Sequence, residues 1–233
     1  MVKPTLFLLP GFHGSSSLFA PLVRELGEHI ETHALVFTSQ SSIESHADAL
    51  SQELPETGAF VLAESFSTLI ALQLAAQHPS RFHGLILSTP FARTPFAALA
   101  AIGARLPAWC YRQSPLRKII LNHYCLNHIT DEKLKAQVLE ALNDVPALTV
   151  KRRIEVLSAT DLTEDLSGIE IPCLLLEASD DRVVSTQKIN RLQHLLPNTQ
   201  RKLIPGPHLI LQANPRDSAA AIRLFIDSIA VDS

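Results

Sequence analysis

The chain has 233 residues, of which 46% are hydrophobic and 18% are charged, and its formal net charge is −3. This balance predicts a globular protein with a large core and excludes an intrinsically disordered chain. The slightly acidic character also argues against nucleic acid as a partner, because nucleic-acid-binding domains usually carry strongly basic patches.

Six short segments have the nearly continuous apolar character of buried strands. In chain order they are Thr5–Leu9, Ala34–Phe37, Ala59–Ala63, Leu85–Leu87, Cys173–Leu176 and Arg201–Ile204. Helical patterns lie between and after them, at Leu18–His29, Ile43–Leu54, Phe66–His78, Ser185–Leu195 and Pro215–Ile229. Apolar strands that alternate with helices are typical of parallel sheets covered by helices on both sides. The sequence therefore predicts an α/β fold with a mostly parallel, doubly wound sheet of about six strands.

The alternation of strands and helices is interrupted between Pro90 and Ser167, where the pattern is helical and no convincing strand occurs. Ligands of open α/β sheets bind at the carboxyl ends of the strands, so a helical insertion between two strands predicts a lid over the site. We therefore divide the chain into an α/β core, residues 1–89 and 168–233, and a helical lid insertion, residues 90–167. A purely structural helical layer is the alternative.

The N-terminal stretch "MVKPTLFLLPGF" is interpreted as the first strand and not as a secretory signal, because its apolar part is short and is interrupted by Pro10. No apolar run reaches the roughly 18 residues that a membrane-spanning helix needs. The three cysteines, Cys110, Cys125 and Cys173, have no CxxC spacing, which indicates reduced thiols. We therefore expect a cytoplasmic protein without a membrane span.

The stretch "VLAESFST", residues 61–68, places a serine between a predicted strand and a predicted helix. Ala63, Ser65 and Ser67 fit a relaxed form of the G-x-S-x-G nucleophile elbow, a strained turn that projects a serine hydroxyl above the sheet. The two flanking residues must be small, since their side chains approach each other across the turn. Ser65 is thus the candidate nucleophile, although serine is also a favoured helix N-cap.

A serine hydroxyl becomes nucleophilic only with a base within hydrogen-bond reach and an acid that orients the base. In folds with this elbow, the chain order is nucleophile, acid and histidine. Asp180 and Asp181 follow the predicted strand Cys173–Leu176, and His208 follows the last predicted strand. These positions are at the carboxyl ends of strands, where the elbow also lies. We therefore predict Ser65, Asp181 and His208 as the catalytic residues.

Asp181 is preferred over Asp180 because the apolar pair Val183-Val184 can anchor the loop while the Asp181 carboxylate faces the histidine. Either aspartate has an ordinary alternative role, as a helix cap or in an Asx turn. His208 is one of ten histidines, and its alternative is to have no catalytic role. The order and placement of the residues together favour the catalytic interpretation.

Acyl transfer also requires donors for the negative charge that develops on the substrate oxygen. In this architecture one donor is the backbone N–H after the nucleophile, here Phe66, and the second lies in the loop after the first strand. That loop is "LLPGFHGSS", in which the flexible Pro10-Gly11 step makes Phe12 the expected donor. An ordinary strand-to-helix turn is the alternative, and a phosphate-binding loop is disfavoured because its glycine-rich motifs are missing. This chemistry requires no cofactor and no metal ion.

Four segments, "LLPGFHGSS", "VLAESFS", "EASDDRVVS" and "PGPHLILQANP", resemble those of the α/β-hydrolase superfamily and span nearly the whole chain. The LPG-x-x-G opening and the ESFS-type elbow are similar in particular to compact bacterial serine hydrolases and carboxylesterases. The resemblance implies an α/β-hydrolase fold and assigns the nucleophile, the acid, the base and the two amide donors. These are Ser65, Asp181, His208, Phe12 and Phe66.

The leading hypothesis is a cofactor-free serine hydrolase that cleaves a carboxylic ester of a small or medium acyl group. The second hypothesis is that the same residues carry out thioesterase, acyltransferase or acyl-carrier methyl esterase chemistry. Basic residues of the lid would then contact an anionic substrate or an acyl carrier, although charge runs are more often solvated helix faces. These residues are Arg105, Arg112, Arg117, Lys118 and the run Lys151-Arg152-Arg153. The third hypothesis is a hydrolase-fold protein that binds a ligand without turnover. The sequence assigns no substrate-binding residues.

Overall fold

The computed structural model describes residues 3–37, 40–112, 121–127, 131–164, 166 and 168–230. Its strands are β1 Thr5–Leu9, β2 Glu31–Ala34, β3 Ala59–Glu64, β4 Phe82–Ser88, β5 Cys173–Ala178 and β6 Thr199–Ile204. They form one sheet in the order β2-β1-β3-β4-β5-β6, and all neighbouring strands are parallel. The prediction of a parallel α/β sheet of about six strands is confirmed.

The second strand lies three residues earlier than the sequence predicted. The apolar run Ala34–Phe37 overlaps β2 only at Ala34, because Glu31 to Ala34 pair with Thr5 to Leu8 of β1. β2 is an edge strand and most of its residues are exposed, so its sequence carries no signal of burial. The prediction of a strand at Ala34–Phe37 was therefore wrong, because apolar continuity marks buried strands and not solvated edges.

Helices cover both faces of the sheet. The described α-helices are α1 Ala20–Leu26, α2 Ile43–Glu53, α3 Phe66–Gln77, α4 Ala97–Ala104, α5 Glu132–Asn143, α6 Ala147–Ala159, α7 Thr186–Leu195, α8 Ile210–Ala213 and α9 Pro215–Ala230. Phe7 and Leu9 of β1 pack in one cluster with α2, α3 and α7, whereas Leu6 and Leu8 pack in a second cluster with α1, α8 and α9. The side chains of a strand alternate between its two faces, so one strand contributes to both halves of the core. None of the described helices combines the length and apolar character of a bilayer span.

The predicted helix Leu18–His29 is divided into three parts. A 3-10 turn at Ser16–Phe19 precedes α1, and a second turn at Gly27–His29 follows it. Gly27 has a φ of 72°, a left-handed conformation that ends an α-helix and that glycine adopts at little cost.

The regular elements described between β4 and β5 are helical, apart from an isolated antiparallel bridge between Arg93 and Asp161. The helical elements are α4, α5 and α6, a 3-10 turn at Ala108–Tyr111 and a π-helical turn at Leu121–Cys125. Residues 90–167, which we call the helical insertion, end at Ser167, and this residue lies outside the described part of the chain. The division of the chain into a core and a lid therefore stays a prediction.

The helical insertion packs against the loops that leave the carboxyl edge of the sheet. A buried cluster joins the insertion to Leu18, which follows β1, and to Leu209, which follows β6. The members of this cluster from the insertion are Leu121, Leu126, Leu134, Val138 and Ala141. The insertion thus lies next to the edge where the sequence predicts the functional site.

Candidate active site

Ser65 lies at a strained turn between β3 and α3, with φ 51° and ψ −111°. A non-glycine residue in this region is uncommon and requires support from its surroundings. The N–H of Ser65 donates to the carbonyl of Ser88 at 3.0 Å, and its own carbonyl accepts the hydroxyl of Thr68 at 2.6 Å. The Ser65 hydroxyl makes no capping hydrogen bond to α3, which contradicts the alternative role as a helix cap.

Ala63 and Ser67, which replace the two glycines of the elbow motif, both fit the turn. Ala63 is fully buried in the core beneath α3. The Ser67 hydroxyl accepts the N–H of Glu64 at 2.8 Å and donates to the carbonyl of Leu9 at 2.9 Å. This hydroxyl connects the elbow to the end of β1, a connection that a glycine cannot make.

His208, on the loop after β6, lies between the serine and an aspartate. Its Nε2 is 2.8 Å from Ser65 Oγ, and its Nδ1 is 2.9 Å from Asp181 Oδ2. The hydrogen-bond network assigns the proton to Nδ1, which donates to the carboxylate, so that Nε2 accepts the serine hydroxyl. In this tautomer the imidazole is able to take the hydroxyl proton. The structure thus brings Ser65, Asp181 and His208 together.

Asp181 and Asp180 have different partners. The Oδ1 atom of Asp181 accepts the N–H groups of Val183 at 2.7 Å and Val184 at 2.8 Å, which leaves Oδ2 directed at His208. Asp180 is exposed, and its carboxylate accepts the hydroxyl of the preceding serine at 2.6 Å. The structure therefore places Asp181, and not Asp180, beside the histidine.

Phe12 and Phe66 lie on adjacent loops at this edge of the sheet. Phe66 is the first residue of α3, so its N–H has no acceptor within the helix. Phe12 lies in a turn that is closed by a hydrogen bond of 2.9 Å from the N–H of Gly14 to the carbonyl of Gly11. The two aromatic rings pack edge to face with centroids 6.0 Å apart. Neither backbone N–H donates to another described residue.

Glu64 and His13 form a buried pair beneath the Phe12 loop that the sequence analysis missed. Glu64 is fully buried, and its Oε2 lies 3.3 Å from the N–H nitrogen of Gly11 and 3.4 Å from Nε2 of His13. The Nδ1 atom of His13 accepts the N–H of Ser15 at 3.1 Å, so Nε2 carries the proton that faces the carboxylate. A signal existed, because an acidic residue at the end of an apolar strand needs a buried partner.

The basic residues that were considered as contacts for an anionic substrate fall into three groups. Arg117 and Lys118 lie outside the described residues. Arg105 and Arg112 are exposed. The run Lys151-Arg152-Arg153 lies on α6, where Lys151 pairs with Glu155 four residues later.

Arg153 does not belong to a solvated helix face. It is only 2% exposed, and its guanidinium donates to the carbonyl of Phe12 and, at 3.2 Å, to the carbonyl of Phe37. Burial lowers the pKa of Arg153 to about 10, which leaves the group charged at neutral pH. The interpretation of the whole run as a solvated face was therefore wrong for this residue, which connects the insertion to the Phe12 loop.

Cys125, in the helical insertion, lies near the same edge. Burial, with a smaller contribution from the charges of Asp181 and Glu64, raises the pKa of its thiol to about 12. The thiol is thus protonated at neutral pH and does not compete as a nucleophile. Its backbone carbonyl accepts the N–H of Leu209 at 3.3 Å, directly after His208.

In the described part of the chain, no group of three or more His, Cys, Asp or Glu residues is arranged to hold a metal ion.

Curated relatives match this chain over almost its full length. The pimeloyl-[acyl-carrier protein] methyl ester esterase of Xylella fastidiosa (strain M23) is 26% identical over 248 residues, which cover 97% of this chain and 96% of that protein. A protein of Caulobacter sp. (strain K31) that bears the name carbamate hydrolase RutD is 25% identical over 253 residues, covering 98% of this chain and 92% of that protein.

Solved structures share the same fold. The enol-lactonase from Burkholderia xenovorans LB400 superposes with a TM-score of 0.81 at 17% identity, covering 97% of this chain and 92% of that chain. The family model described as "Serine aminopeptidase, S33" matches residues 38–210, well over half of the chain. The predicted resemblance is confirmed, and the chain belongs to the serine aminopeptidase S33 family of hydrolases, within the α/β-hydrolase superfamily.

Proposed function

We propose that this protein is a serine hydrolase that cleaves a carboxylic ester of a small or medium acyl group through an acyl-enzyme. One observation carries the proposal: Ser65 Oγ lies 2.8 Å from His208 Nε2 at a turn with a φ of 51°. A serine with only a structural role has no need of a strained backbone or of a buried histidine–aspartate pair behind it. The geometry therefore supports nucleophilic catalysis.

In the first half of the reaction, Ser65 Oγ attacks the ester carbonyl carbon while His208 Nε2 takes the hydroxyl proton. The carbonyl electrons move to the oxygen, which accepts the N–H groups of Phe12 and Phe66. When this intermediate collapses, the bond to the alcohol oxygen breaks and His208 returns its proton to the leaving alcohol. Asp181 fixes the tautomer of the imidazole and stabilises the imidazolium.

In the second half, water attacks the acyl-enzyme. His208 takes a proton from the water as the new carbon–oxygen bond forms, and the same two amides hold the oxyanion. Collapse breaks the bond to Ser65 Oγ, which regains its proton from His208, and the carboxylic acid leaves. The balance is ester plus water to acid plus alcohol, without a cofactor.

We propose that the helical insertion acts as the lid of this site. Two contacts support this role: the Cys125 carbonyl accepts the N–H of Leu209 at 3.3 Å, and the Arg182 guanidinium donates to the His123 carbonyl at 3.4 Å. Both contacts join the insertion to the loops that carry His208 and Asp181. The apolar character of the insertion favours an acyl group of modest size over a large polymer.

Labelling with a serine-reactive fluorophosphonate, followed by peptide mapping, tests the proposal. We expect the label on Ser65 and hydrolysis of p-nitrophenyl esters of graded acyl length, with an optimum at short or medium chains. Ser65→Ala should abolish labelling and lower turnover by about 10⁶-fold, as the loss of a catalytic serine does in other hydrolases. Ser80→Ala is the matched control, since Ser80 is exposed just before β4, at the opposite edge of the sheet. A folded wild-type protein that takes no label at Ser65 would contradict the proposal.

A second candidate function is supported by the relatives, some of which are named as pimeloyl-[acyl-carrier protein] methyl ester esterases. The same residues would then cleave the methyl ester of a carrier-bound acyl chain. A panel containing neutral p-nitrophenyl esters, free and carrier-bound dicarboxylate monomethyl esters, a carbamate and an aminoacyl p-nitroanilide separates these substrate classes. A kcat/KM for the carrier-bound ester at least about 100-fold above that for the neutral esters would favour this candidate. Ligand binding without turnover of any of them, unaffected by Ser65→Ala, would favour a non-catalytic protein.

A further inference from the structure

We propose that Arg153 is a positioning residue of the oxyanion hole. Its guanidinium, carried by α6 of the helical insertion, fixes the loop that presents the N–H of Phe12. The inference rests on the proposed function, because it requires that Phe12 stabilise an oxyanion. It adds a residue from the insertion to a site whose proposed catalytic groups all come from the core.

The guanidinium bridges two loops at the carboxyl edge of the sheet. It donates to the carbonyl of Phe12, in the loop after β1, and at 3.2 Å to the carbonyl of Phe37, which follows β2. A Cβ atom on Gly14 would lie 2.5 Å from Nη2 and 2.8 Å from Nη1 of Arg153. Gly14 also has a φ of 70°, which favours glycine, and an added Cβ atom would displace the guanidinium packed against it.

The opposite side of the same loop is held by a negative group. Glu64 Oε2 accepts the N–H of Gly11 at 3.3 Å, while the carbonyl of Gly11 accepts the N–H of Gly14 at 2.9 Å. The peptide that carries the Phe12 N–H is therefore fixed through its own carbonyl, and both neighbouring peptides are held by charged side chains. A donor acts well in an oxyanion hole when it is oriented before the charge develops.

The charge of Arg153 argues for a role in function. None of the ion pairs among the described residues includes Arg153, and its Nε atom is buried without a hydrogen-bond partner. A buried charge without a carboxylate partner is costly, and apolar side chains often replace buried ions without loss of stability. A fold that required only packing at this position would be served better by methionine or leucine.

Two substitutions test the inference. We expect Arg153→Met to lower kcat by about 10²-fold with little change in KM, because a displaced oxyanion donor affects mainly the transition state. The inhibition constant of a trifluoromethyl ketone, whose adduct oxygen occupies the oxyanion hole, should rise by a similar factor. Arg153→Lys should recover part of the loss, since an ammonium group keeps the charge but lacks the planar fork of the guanidinium.

Arg81→Met is the matched control. Arg81 also donates to two backbone carbonyls, those of Ser51 at 3.2 Å and Leu54 at 2.8 Å, but it lies before β4, at the opposite edge of the sheet. Its loss should lower the melting temperature without changing kcat or the inhibitor affinity. This comparison separates an effect on the site from the general cost of removing a bridging arginine.

Amide hydrogen exchange over residues 11–14 supplies a readout that is independent of turnover. Exchange in this loop should be faster in both Arg153 variants than in the wild type and the Arg81 variant. The inference would be overturned if kcat, inhibitor affinity and loop exchange in both Arg153 variants equalled those of the wild type. Labelling of Ser65 by the fluorophosphonate in the same variants would show that the nucleophile itself is intact. The proposed function fails separately, if Ser65 takes no label in the wild-type protein.

Discussion

Asp180 and Asp181 are neighbours in sequence but differ sharply in their surroundings. The Asp181 side chain is 4% exposed and lies between two backbone N–H groups and His208, whereas Asp180 faces solvent. A carboxylate that accepts two backbone N–H groups has one oxygen fixed and the other directed at the imidazole. The role of each residue is therefore decided by how the loop after β5 turns.

Asp181→Asn should lower kcat by about 10⁴-fold, because an amide in this place favours the wrong tautomer of His208. Asp180→Asn is the matched control. Because Asp180 is solvated, this substitution should change kcat by less than about threefold. Steady-state kinetics on a p-nitrophenyl ester, with the unfolding midpoint of each variant, measures both effects. Equal losses in the two variants would contradict the assignment of Asp181.

We expect His46 to contribute to the pH dependence of stability. It is buried between the rings of Phe37 and Phe66, and burial, with the nearby charge of Arg153 as a smaller cause, lowers its pKa from 6.5 to about 4. Between these two values the unfolded chain binds a proton that the folded chain does not. The free energy of unfolding should therefore fall as the pH drops from about 6.5 towards 4.

We expect His46 to account for a loss of about 1–2 kcal/mol between pH 7 and pH 5, after allowance for partial solvent screening. His46→Leu removes this titration, so its urea unfolding curve should change less between the two pH values than that of the wild type. His78→Leu is a suitable control because His78 is exposed at the end of α3. An identical pH dependence in His46→Leu and the wild type would exclude this residue as the cause.

At the scale of elements, the turn between β3 and α3 is stabilised by a hydroxyl where the common motif has a glycine. Ser67→Ala leaves the N–H of Glu64 buried without its acceptor, so the free energy of unfolding should fall by about 1–3 kcal/mol. Ser51→Ala serves as the control, since the Ser51 hydroxyl donates to the Asp48 carbonyl on an exposed helix face. Its effect should stay within about 0.5 kcal/mol. Urea unfolding of both variants provides the comparison, and equal stability of Ser67→Ala and the wild type would contradict the role of this hydroxyl.

The helix α6 shows how an inserted element takes part in the site of the core. It contributes Arg153 to the loop after β1, while other residues of the insertion contact the loop after β6. These contacts span both sides of the nucleophile elbow. A movement of α6 away from the sheet would therefore release the Phe12 loop.

At the scale of the whole molecule, the outer surface of the helical insertion is unusually apolar. Trp109, the only tryptophan of the chain, is 70% exposed, and Leu99 and Ile102 of α4 are 66% and 60% exposed. We expect Trp109 fluorescence to resemble that of tryptophan in water and to be quenched readily by acrylamide. A blue-shifted, protected emission that depends on protein concentration would instead show that this surface is covered by a second copy of the chain.

The sequence by itself determined the sheet and the neighbourhood of the site. Apolar strands alternating with helices leave few arrangements other than a parallel sheet, and the carboxyl ends of parallel strands share one edge. Ser65, Asp181 and His208 each follow a strand, so their proximity could be predicted without any knowledge of long-range contacts. The edge strand β2 was misplaced because its exposed side chains have no pattern of burial.

Only the tertiary structure decided the partners within that neighbourhood. The buried pair of Glu64 and His13 and the contact of Arg153 with Phe12 depend on distances between side chains. The sequence favoured Asp181 over Asp180, but the distance to His208 comes from the structure. Arg153 lies 141 residues from Phe12 in the chain, and a charge run on a helix looks the same in sequence whether it faces solvent or a core. Periodicity reports which face of an element is buried, but the contacts made across that face depend on how the elements pack.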